Sequence, residues 1–195
     1  MFIRLLLFVL AGGLLIPPAA QSASPARIDV TARLYNTAQL PADTTHAALV
    51  MAARTLAAGD IDVAWRNCDA PESCALTTAP GELIVRLVRS RDVTRGVAPL
   101  VLGEAFVDTG AGAGVLATIY ADRVELMAEL SGTDAAVLLG RAIAHELGHL
   151  LLATNAHSPS GLMRARWTPS DIRGNQIADW VLTRKDAEEI RKRHR

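Results

Sequence analysis

The stretch HELGHLLLATNAHSPSGLM, His145 to Met163, decides how the rest of the chain is read. It continues an apolar run, AAVLLGRAIA from Ala135, that holds no proline and a single charge at Arg141. Such a run reads as a long helix. Thr133 or Ser131 can start it, and Asp134 suits its first turn. His145 and His149 are four residues apart, so both imidazoles project from one helical face about a turn from each other. Two imidazoles so placed can reach a single metal ion. Glu146 borders that face, where a carboxylate can hold a water molecule and take its proton.

Catalytic zinc takes three protein ligands and keeps one position open. The chain offers His157, Asp171, Asp179, Glu188 and Glu189 as third ligand, and His157 is nearest. To bring it back, the helix ends near Ala153 and Thr154-Asn155-Ala156 makes the turn. Asn155 tolerates the left-handed conformation that ends helices. Its neutral amide is a poor zinc donor beside imidazole. The plain alternative is a surface helix with two ordinary histidines. The apolar context argues against it, because a buried His-Glu-His group is costly without a metal or partners.

HELGH, the later His157-Ser158 pair and Met163 together resemble the metzincin zinc endopeptidases. The resemblance implies that His145, His149 and His157 hold one zinc ion. It also implies that Glu146 is the general base and that Met163 forms a turn beneath the metal. The upstream piece LGEAFVDTGAGAGVL is similar to the family's edge strand, loop and next strand. Gly103, Glu104, Ala105, Phe106 and Val107 would then line the cleft and pair with an extended peptide or protein substrate by adding to the sheet edge. The implied fold is α/β (α+β): a mixed, mostly parallel twisted sheet with an antiparallel edge strand, a long active-site helix and a helical C-terminal tail. The segment after the third ligand, Ser158 to Asp171, would shape specificity. This chain departs from the family pattern at three points. Leu152 stands in a glycine slot, Asn155 stands in the usual third-ligand slot with His157 two residues later, and no tyrosine follows Met163. Two other readings stay open. One is a gluzincin-like hydrolase with Glu188 or Glu189 as ligand. The other is a non-catalytic zinc-binding or interaction module, against which an intact Glu146 argues.

Around this centre, Ile28–Tyr35 alternates like a strand, and Asp43, Thr44 and Thr45 can cap a helix that stops at Gly59. Ile61–Arg66 and Glu82–Arg89 read as further strands. Gly103–Asp108 and Val115–Tyr120 read as two more, joined by the glycine-rich Gly110–Gly114. That glycine run is a hairpin connection, since no Lys-Ser/Thr pair follows it as a phosphate loop requires. Thr168 and Thr183 look like two helix starts, the second opening a basic, solvated C-terminal helix. Strand, helix, strands, long helix and helical tail make an α/β or α+β layout with a mixed sheet.

The chain has 195 residues, half of them hydrophobic, enough for one domain with a sizeable core. Lys+Arg and Asp+Glu are both 20, which argues against a nucleic-acid partner. Arg4, the apolar run Leu5–Ile16, Pro17-Pro18 and the small residues after them follow the layout of a secretory signal. Residues 1–23 are therefore read as a signal peptide, cleaved between Ala20 and Ala23. Residues 24–195 are read as a single domain with a C-terminal subdomain from about 158. The mature protein would be exported, secreted or periplasmic, monomeric and not inserted in a membrane. Export permits a disulfide, and Cys68 and Cys74, in CDAPESC, are spaced to form one.

Overall fold

The structure is a computed structural model that describes residues 27–70, 74, 79, 81–90 and 100–194. The signal-peptide reading lies outside these residues. Five strands form one sheet in the order β2-β1-β3-β5-β4, where β1 is Ile28–Asn36, β2 Ile61–Asn67, β3 Leu83–Val88, β4 Gly103–Asp108 and β5 Ala113–Tyr120. β1 pairs in parallel with β2 and β3, β3 pairs in parallel with β5, and β4 runs antiparallel to β5 at the edge. This is the mixed, mostly parallel sheet with an antiparallel edge strand that the sequence implied. The central strands carry the alternation that selects one buried face: Val30, Ala32 and Leu34 on β1, and Leu83, Val85 and Leu87 on β3.

Helix α1, Ala42–Ala57, and the long helix α3, Ala135–Leu152, pack together and against the sheet. From Leu138 to Leu152 every residue of α3 is buried, which is why its sequence is apolar all round. By length and composition α3 could cross a membrane, but here it is the core helix. Gly140 sets its distance from α1. A Cβ at Gly140 would lie 2.4 Å from the Ala48 carbonyl oxygen and 2.6 Å from Met51 Cβ.

The structure corrects several local readings. α1 begins after Pro41 with no side-chain cap, so Asp43 sits in its first turn rather than capping it. A separate helix α2, Ala121–Ser131, follows β5 directly and was not read from the sequence. Its left-handed Gly132 turns the chain into α3, whose cap is Asp134 itself, accepting from the N–H groups of Ala136 at 2.7 Å and Val137 at 3.1 Å. Thr168 and Thr183 do open helices, α4 (Pro169–Gly174) and α5 (Arg184–Arg193), each through a complete capping box. α5 is not merely a solvated face: Asp186, Ala187 and Ile190 are buried. Cys68 and Cys74 are joined by a disulfide across 5.4 Å between their Cα atoms.

Because the α1–α3 crossing leaves no room for a methyl group, Gly140→Ala is expected to destabilise the fold by about 1–3 kcal/mol. Chemical denaturation monitored by circular dichroism measures this. An unchanged midpoint would mean the two helices separate freely.

Candidate metal centre and cleft

The last turns of α3 present His145 and His149 side by side. Each ring is tethered through Nδ1 to a backbone carbonyl: His145 to Leu162 at 2.7 Å and His149 to Thr154 at 2.8 Å. A ring that donates Nδ1–H to a carbonyl keeps a lone pair on Nε2. The two Nε2 atoms face each other 3.1 Å apart. Two lone pairs at that distance repel unless a cation or proton lies between or beside them. His157 joins them, and the ligand atoms of the three rings all lie within 4.8 Å of one another. Nitrogens around a tetrahedral zinc at its usual bond length would be separated by about 3.4 Å, so the three rings fit such an ion after a small inward movement of His157.

Burial keeps these rings neutral, the form that binds metal. It pushes His145 down to about 4, helped by the charges His149 and His157 would carry. His149 is lowered first by burial and then by His157, and His157, the most exposed of the three, is lowered by desolvation. Glu146 moves the other way, to about 8, because burial disfavours its charge and the nearby Glu104 carboxylate adds repulsion. A cation held by the histidines would oppose both effects and favour the carboxylate.

The turn that returns His157 differs from the sequence reading. Ala153, not Asn155, takes the left-handed position that ends α3, at φ 48° and ψ 46°. Asn155 instead stands exposed on the wall of the cleft. Met163 is fully buried against α3 between the two helical histidines. Gly148 makes that possible, since a Cβ there would lie 2.4 Å from the Met163 sulfur.

The three rings and Glu146 line a cleft of about 700 Å³. One wall is the start of β4. Gly103, Glu104 and Ala105 line it, whereas Phe106 is 70% exposed and Val107 packs on the core beyond a register shift. Gly103 lies directly against Glu146: a Cβ there would be 2.8 Å from its Cγ. The opposite wall runs from Arg164 to Pro169.

The remaining third-ligand candidates are engaged elsewhere. Asp171 caps α4, and Asp179 pairs with Arg164 at 3.4 Å. Glu188 and Glu189 pair with Arg184 and Lys192 on the surface of α5. Sequence reading missed three side chains behind the centre. Trp167 packs edge-on to His145 with centroids 5.2 Å apart and to Trp180 at 5.1 Å. Arg141 stacks over Trp180 at 3.9 Å and donates to Asn175. No motif marks them, because they meet only once the segment from Trp167 to Trp180 has folded back beside α3.

Three histidines that could hold a metal ion thus stand beside a buried carboxylate, on an α/β frame. No protein-family model matches the sequence, and no curated protein does. Twelve solved chains match the structure. Among them is the crystal structure of archaemetzincin from Methanopyrus kandleri, with a TM-score of 0.49 and 14% identity over 88% of this chain and 98% of that one.

His157→Ala should reduce zinc in the purified protein from one ion per chain to near zero, while Glu188→Ala leaves it unchanged. Elemental analysis of the two variants beside the parent decides this. Zinc retained without His157 would move the third ligand elsewhere.

Proposed function

We propose that this chain is an exported zinc-dependent endopeptidase. The observation that carries the reading is the convergence of three imidazoles next to Glu146, on the floor of a cleft bounded by a sheet edge. The sequence resemblance of HELGH, His157 and Met163 to metzincins supports it. The signal-like N-terminus and the Cys68–Cys74 disulfide support export.

In this reading an extended peptide lies along β4, whose outer edge pairs with no other described strand. Backbone hydrogen bonds from β4 set its direction and register. Leu102, Met127 and Trp167 give the cleft an apolar flank for one neighbouring side chain. A zinc ion bound by the histidines supplies Lewis acidity, which acidifies water and polarises a carbonyl. Glu146 accepts a proton from the attacking water as the new C–O bond forms. It then delivers that proton to the leaving amine as the C–N bond breaks. With no tyrosine after Met163, backbone N–H groups of β4 would share with a bound metal the task of stabilising the developing negative charge.

Glu146→Gln is expected to keep zinc but lose about a thousandfold in turnover, the usual scale for removing a general base. The test is cleavage of a quenched-fluorescence peptide library by zinc-loaded parent and variant, with chelation and zinc readdition as controls. Failure of the zinc-loaded parent to cleave any member would sink the peptidase reading.

A further inference from the structure

His157 is held differently from its two partners. His145 and His149 each have a carbonyl that fixes the ring through Nδ1. Among the described residues, nothing hydrogen-bonds the His157 ring, and it is exposed. The ring stacks on His145 at 5.4 Å and meets His149 edge-on at 4.8 Å between centroids. With no such tether, its backbone sets how far it reaches toward them, and outer partners of that kind govern how well a ligand holds a metal.

The backbone beyond His157 is anchored from the far end of the chain. Ser158 N–H donates to the Met163 carbonyl at 2.9 Å, closing the loop on itself. The Ser158 hydroxyl donates to Asp186 Oδ1 at 2.7 Å, and Leu162 N–H donates to the Val181 carbonyl at 2.8 Å. Leu162 is also the residue whose carbonyl tethers His145. The segment from Val181 to Asp186 thus reaches two of the three ligands, one through Ser158 and one through Leu162. Gly161 permits that closeness: its φ is +74°, and a Cβ would lie 2.6 Å from the Val181 oxygen.

Asp186 is only 7% exposed. Its Oδ2 accepts from the Thr183 hydroxyl at 2.6 Å and from Thr183 N–H at 3.2 Å, which is an ordinary helix-capping arrangement. Capping does not require burial, nor does it use Oδ1. Oδ1 is given to Ser158, and no Lys or Arg among the described residues pairs with the carboxylate. A buried carboxylate without a cation is kept only where its hydrogen bonds are made.

We propose that Ser158 and Asp186 form a latch in which Asp186 is a positioning residue, holding His157 in reach of the metal through the Ser158 hydroxyl. The first turn of α5 is then part of the frame of the metal centre. This rests on the three-histidine reading above.

The test is metal affinity, without reference to turnover. Metal-free parent, Ser158→Ala, Ser158→Thr and Asp186→Asn are titrated with zinc against a chromophoric chelator, and with cobalt for its visible absorption. Ser158→Ala leaves the Thr183–Asp186 cap whole. It should weaken zinc binding about tenfold or more and alter the cobalt bands, with far-ultraviolet circular dichroism of the metal-free protein unchanged. Ser158→Thr keeps a hydroxyl and should restore both. Ser158→Ala combined with Asp186→Asn should be no weaker than the weaker single variant, as for two halves of one contact. Parent-like affinity and spectra in Ser158→Ala would overturn the latch and leave the zinc centre standing. Equal weakening by alanine and threonine would overturn it too. A parent that binds no zinc would overturn both readings.

Discussion

The contact on which the centre depends is the hydrogen bond from the His145 ring to the Leu162 carbonyl. It fixes the tautomer of a buried imidazole, so the free lone pair sits on Nε2 and faces His149. It also ties the loop that carries Met163 to the helix that carries the motif. The Leu162 peptide is used at both ends, since its N–H reaches Val181. A shift of that one residue would move His145, Met163 and the C-terminal segment together. Burial supplies the stiffness: Leu162 and Met163 have no exposed surface, and interiors packed to that density do not deform gradually.

The electrostatics of the cleft follow from the same burial. Neutral imidazoles and a carboxylate pushed up to about 8 form a site with little charge of its own. Glu104 faces Glu146 and is partly occupied by the Tyr120 hydroxyl at 2.8 Å. Two carboxylates lie beside the three ring nitrogens, while Arg164 and Arg166 line another wall of the cleft. A divalent cation held by the three rings would satisfy their lone pairs and lower the cost of an ionised Glu146 at once.

Much of this was legible where local chemistry decides. The spacing of His145, Glu146 and His149 on an apolar helix, the capping boxes at Thr168 and Thr183, and the strand alternation of Leu83 to Val88 all depend on near neighbours in sequence. What was not legible depends on contacts made across the fold. Gly148 looks like any helical glycine until Met163 packs against it. Asp186 looks like a cap and nothing more until Ser158 is brought to it from 28 residues away in sequence. Helix α2 escaped notice because it follows β5 with no turn signal between Tyr120 and Ala121. Phe106 and Val107 lie further along β4, past the three residues that line the cleft, and strand alternation alone does not show where the cleft stops.

Leu152, Ala153 and Asn155 are placed by where α3 ends. A glycine in the Leu152 slot would suit a helix that ends there in a left-handed residue. Here the helix runs through Leu152, and Ala153 takes the left-handed position. An alanine held there costs about 1–2 kcal/mol relative to a right-handed conformation. Leu152 is 8% exposed and joins the core, and burying a leucine stabilises by about 1.5–3 kcal/mol. The two terms are of similar size, so extending the helix by a residue carries little net penalty. A helix that ends later releases its chain further along its own axis, so the loop needs more residues to return to the same face. Thr154, whose carbonyl tethers His149, is the first residue of that loop. The left-handed Ala153, the Thr154 tether and the loop to His157 therefore follow one another directly, and the third imidazole arrives beside the other two.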